Sequence, residues 1–72
     1  MQQLTAEEKR FFFESEKKGI IKKIKWLVDL LSSPRYTDSE LIQIAGEIDL
    51  KERRLHDEFG MTWEEIEQIE IA

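Results

Sequence analysis

Residues 31–41 read LSSPRYTDSEL, and within this stretch one helix must end and another begin. Pro34 has no amide hydrogen to continue a helix, and it pushes Ser33 toward extended backbone. Three residues later Thr37-Asp38-Ser39-Glu40 has the Thr-x-x-Glu spacing in which each side chain satisfies an orphan amide of a helix start. Tyr36 just before the cap and Leu41 in the first turn are placed to form a hydrophobic staple. Working backward, Ile20, Ile21, Ile24, Leu27, Val28 and Leu31 recur at helical spacing; working forward, so do Leu41, Ile44, Ala45, Ile48, Leu55 and Phe59. Two amphipathic helices joined by a short connection make an antiparallel hairpin.

The same punctuation appears twice more. Thr5-Ala6-Glu7-Glu8 opens the first helix, predicted over about residues 6–31, and Thr62-Trp63-Glu64-Glu65 opens a third. Gly60 suits a left-handed cap closing the second helix, and Met61 and Ile66 form a further staple pair. Trp63, Ile66 and Ile69 share one face of the short last helix, which is expected to dock across the first two. No segment alternates with period two over strand length, so the chain reads as all-α, a small three-helix domain spanning residues 1–72.

Gly19 and the run Phe11-Phe12-Phe13 raise a question about the first helix. At about 100° per residue three consecutive rings cannot share one face. Phe13 and Ala6 fall in phase with the core stripe, Phe12 lies beside it near Trp26 and Leu30, and Phe11 lies opposite with Leu4, Lys18, Lys22 and Lys25. A helix continuous through Gly19 exposes Phe11 and Leu4; a bend there folds the N-terminal arm back and draws the rings into the core. On the second helix Leu50 points away from the stripe, and Gly46 on its flank leaves room for another helix to approach closely. Leu4, Phe11, Phe12, Trp26, Leu30 and Leu50 are therefore the candidate partner-binding residues.

Composition narrows the classes. The chain has 72 residues and no Cys, which excludes a disulfide framework, and a core of this size rarely supplies more than about 3–5 kcal/mol. Efficient packing or self-association, as in a homodimer, must make up the difference. The start lacks a charged segment followed by an apolar one, and no apolar run approaches the roughly 18 residues of a membrane span. A cytoplasmic protein with no membrane partner is expected. The formal net charge is -5, the wrong sign for general affinity to nucleic acid or anionic lipid. It is unevenly placed: residues 1–36 carry eight Lys/Arg against five Asp/Glu, a balance of +3, and residues 37–72 carry three against eleven, a balance of -8. The two halves can attract each other within one chain or between two.

Few constellations carry chemistry. Asp49, Glu52 and His56 lie within about 60° on the second helix, a candidate divalent-metal site or acid/base group, or else a solvated edge in which Glu52 reaches water and pairs with His56 or Arg53. The serines have no evident relation to the lone His56. The three glycines are isolated, so no phosphate loop forms, and no cofactor is expected.

Residues 39–49, Ser-Glu-Leu-Ile-Gln-Ile-Ala-Gly-Glu-Ile-Asp, resemble the signature of the small Spo-zero-E-like aspartyl-phosphate phosphatases of spore-forming bacteria. Ser39, Glu40, the apolar positions, Glu47 and Asp49 match in order. Ala45 and Gly46 stand where that pattern has Ser-Gln, and Lys51 and Glu52 occupy positions usually hydrophobic. The resemblance implies dephosphorylation of a response-regulator aspartate, with Asp49 as the motif acid and a receiver domain as partner. The residues themselves favour a noncatalytic interaction protein, a small regulator or inhibitor that docks through the first helix and the acidic C-terminal half. A further alternative is an acidic DNA mimic, in which Asp57, Glu58, Glu64, Glu65, Glu67 and Glu70 imitate phosphates.

Overall fold

The computed structural model describes residues 4–71; the outermost positions of the expected domain, 1–3 and 72, lie outside them. Three helices follow in order: α1 (Ala6–Leu31), α2 (Asp38–Phe59) and α3 (Trp63–Ile71). The predicted caps form, the first through its threonine alone. The Thr5 hydroxyl accepts from the Glu8 amide at 3.1 Å. Thr37 and Glu40 exchange both bonds of a capping box, and Thr62 and Glu65 do the same at 3.1 and 3.2 Å.

Gly60 is left-handed, with φ 68° and ψ 18°, and the Met61 amide donates to the Leu55 carbonyl at 3.2 Å. This turn swings the chain from α2 into α3. Any side chain at a left-handed position is strained, so Gly60→Ala is expected to lower stability by about 1 kcal/mol, read from thermal unfolding by circular dichroism.

α1 and α2 run antiparallel. Near the outer end of the hairpin the Phe13 ring lies 4.6 Å from that of Phe59, and one turn further in Arg54 donates to Glu16. α3 returns along the pair opposite in direction to α2: Trp63 stacks on His56 and Glu70 meets Glu52. The core where the helices converge consists of Ile20, Ile24 and Leu27 from α1, Ile48 and Leu55 from α2, Met61, and Ile66 and Ile69 from α3.

The helical phase of the core is as expected, but its length is shorter. α1 passes through Gly19 as one uninterrupted helix, at a local cost of about 1 kcal/mol relative to Ala, so the arm does not fold back. Its 26 residues span about 39 Å, and α2 ends level with Phe13. Residues 4–16 are all exposed, because α2 reaches this segment only at its inner end, through Phe13 and Glu16. Ala6 and Phe13, in phase with the stripe, are consequently not core; Phe13 touches only the end of the bundle. Leu31, at the loop, is exposed, as is Ala45, whereas Ile44 is half-buried. The Cα radius of gyration is 14.8 Å, against about 11 Å for a compact chain of this length. No described helix is long and apolar enough to cross a membrane.

Candidate functional site

Asp49, Glu52 and His56 share a side of α2, but their side chains go three ways. Asp49 pairs with Arg53, one turn on, at 3.1 Å. His56 Nδ1 lies 2.8 Å from the Met61 carbonyl, an acceptor, so Nδ1 carries the hydrogen. The His56 ring stacks on Trp63 at 4.3 Å and 21°. Trp63 therefore stays half outside the core that was expected to take it. Glu52, half-buried, pairs with neither His56 nor Arg53. It faces Glu70 of α3, and its carboxyl is raised to about 7, first by burial, then by the charge of Glu70 and a hydrogen bond with it, and least by Asp49. Two facing carboxyls share a proton more easily than they carry two charges. Among the described residues no group of three His, Asp or Glu side chains is placed to hold a metal ion.

The apolar candidates fall into two groups. Leu4, Phe11 and Phe12 belong to the projecting arm, where Phe11 is 67% exposed and meets Phe12 edge to face at 5.7 Å. Trp26, Leu30 and Leu50 belong to the bundle. Trp26 and Leu50 are 55% and 61% exposed, while Leu30 is half-buried against the core and presents only one side outward. These three line a cleft of about 750 Å³ between α1 and α2, together with Tyr36, Gly46 and Asp49. A second cleft of about 580 Å³ continues from it, sharing Leu50 and Glu47 and adding Gly19, Lys23 and the Glu16–Arg54 pair.

The continuity of these clefts, and the part played by Gly19 and Lys23, were not anticipated from single residues. A signal was present. Phe12, Glu16, Gly19, Lys23, Trp26 and Leu30 alternate by four and three along α1, a heptad stripe lying about 120° from the core stripe. Its polar members disguise it. Comparison with protein-family models, curated proteins and solved structures finds no match to this chain.

Proposed function

We propose that the chain is a noncatalytic helical interaction module, a small cytoplasmic regulator or inhibitor that docks on another protein through the N-terminal arm of α1. The observation that carries this reading is the arm itself: a helix extended beyond its own bundle, with Leu4 and Phe11 on one line seven residues apart and Phe12 beside them, all exposed. Solvent-facing rings on a helix with no intramolecular neighbour fit the helix-in-groove mode, in which apolar side chains one and two turns apart fill pockets of a partner. Lys9, Arg10 and Lys18 flank these rings and form no ion pair among the described residues, so a groove rimmed with carboxylates is the complementary surface. The acidic outer face of α3, with Glu64 and Glu67, offers a second contact of opposite sign.

Phe11→Ala is expected to leave the melting temperature within about 1 °C, since it removes no core contact, and to abolish retention of the partner in quantitative affinity capture. A buried aromatic anchor typically accounts for at least about 2 kcal/mol of binding, roughly thirtyfold in Kd. Equal capture by wild type and variant would reject the arm as the docking element.

A second reading has one observation in its favour: Asp49, the acid of the resemblance to aspartyl-phosphate phosphatases, lines the larger cleft. Phosphorylated receiver domains separate the two. A phosphatase releases phosphate at substoichiometric amounts and loses that activity in Asp49→Asn, whereas a binder releases none.

A further inference from the structure

The α1–α2 hairpin has two broad faces, and α3 covers only one. No residue of α3 lines either cleft on the opposite face. There α1 presents its second stripe, Gly19, Lys23, Trp26 and Leu30, beside Glu47 and Leu50 of α2. Gly19 and Gly46 both open onto this face. A Cβ added to either meets nothing within 4 Å, so no contact within the chain accounts for a helix-interior glycine at these positions. Each glycine lies level with a bulky exposed side chain of the neighbouring helix, Gly19 sharing a cleft with Leu50 and Gly46 sharing one with Trp26.

We propose that this bare face is a homodimer interface, in which a second copy lays its α1 over α2 of the first about an axis parallel to the helices. Trp26 and Leu50 of each copy then seat over Gly46 and Gly19 of the other, where the absent side chains leave space for them.

Two independent arguments choose a second copy as the occupant. The first is area. The chain exposes 5965 Å², whereas a monomer of 8.6 kDa ordinarily exposes about 4,700 Å². The excess of roughly 1,250 Å² is shared between the projecting arm and this uncovered face, and it is of the size that a standard interface removes, ~800 Å² from each partner. The second argument is charge. Lys23, on this face of α1, forms no ion pair among the described residues, while α2 lines the same clefts with Glu40, Glu47 and Asp49. Setting α1 on α2 brings Lys23 over Glu47 of the second copy. The alternative two-fold, across the helices, sets α1 on α1 and like charge on like. The chosen axis also sends both N-terminal arms out of the same end of the dimer, so that two sets of Phe11 and Phe12 face the same way and bind with avidity wherever a target offers two grooves.

Sedimentation velocity on the full chain, from low to high micromolar concentration, tests the interface with Gly19→Gln, Gly46→Gln, Trp26→Ala and Phe11→Ala. The wild type is expected to dimerise with concentration. Both glycine variants are expected to weaken that association by at least about tenfold while keeping or raising the helical melting temperature measured when dilute, because glutamine is the better helix former. Trp26→Ala, which removes an exposed side chain, is expected to weaken it as well and covers the case of a glycine variant that misfolds. Phe11→Ala is expected to dimerise like the wild type, so loss of partner capture in that variant is read separately. A wild type that stays monomeric throughout, glycine variants that associate normally, or a dimer lost only in Phe11→Ala would each overturn the proposal.

Discussion

Glu52→Gln is expected to raise the melting temperature at pH 8 and to leave it nearly unchanged at pH 5. The carboxyl of Glu52 titrates near 7 in the folded chain, against the usual 4.5, so between those values the folded state holds a proton that the unfolded state has released. Stability contributed by the protonated group is fully present below the unfolded value and is lost as pH rises through the folded one. A displacement of this size corresponds to about 3 kcal/mol, and solvent screening at a partly exposed site reduces it to about 1–2 kcal/mol. Glutamine keeps the hydrogen-bonding shape beside Glu70 without the second charge, so it removes the penalty where it exists. The check is a set of thermal melts from pH 5 to 8: a slope of the same steepness in wild type and variant would show that the Glu52–Glu70 approach does not govern how α3 holds to α2. Glu65 acts in the opposite sense. Hydrogen bonds from the Thr62 backbone and hydroxyl hold its carboxyl below the usual value, and that contribution is lost as pH falls through the carboxylate range. The chain is thus expected to be most stable in mildly acidic solution, between the loss of the α3 cap and the charging of Glu52.

Leu55→Ala is expected to unfold most of the population at 37 °C. Leu55 is fully buried where all three helices meet, and removing a buried leucine side chain costs about 2–5 kcal/mol, transfer and cavity together. A core of eight buried side chains among the described residues has only about 3–5 kcal/mol to lose in so short a chain. Ile42→Ala provides the contrast. Ile42 is also a branched apolar residue of α2, but 73% exposed, and its removal is expected to change stability by no more than about 0.5 kcal/mol. Urea titrations of both variants measure the difference; comparable losses would mean that α2 is not rotated as described.

The two variants also show how much of the architecture is legible along the chain. Leu55 and Ile42 differ in phase, and phase can be read from spacing: Ile20, Ile24, Leu27, Ile48, Ile66 and Ile69 all fall on stripes visible in the sequence. So do the helix boundaries, because Thr37 with Glu40, Thr62 with Glu65, and Gly60 act on amides only a few residues away. Phe13 and Ala6 are the instructive failures. They keep the core phase of α1, yet a phase says which side of a helix is apolar and nothing about how far a neighbouring helix extends along it.

The candidate site divides in the same way. That Phe11 and Leu4 share a line opposite the core follows from helical geometry alone, whereas their exposure depended on α1 running straight through Gly19. Asp49, Glu52 and His56 are close in angle on the helical wheel, which suggested one site. The position of α3 parts two of them, taking His56 to the Met61 carbonyl and Trp63 and setting Glu70 against Glu52, while Asp49 turns to Arg53 on α2 itself. Local forces, capping and the periodic burial of apolar side chains, act between residues less than about two turns apart, and these the sequence by itself determined. Which face of the hairpin is covered by α3 and which is left bare, and which carboxyl is pressed against another, were decided by tertiary packing, since they depend on contacts between residues far apart in the chain whose relative depth and register no local pattern encodes.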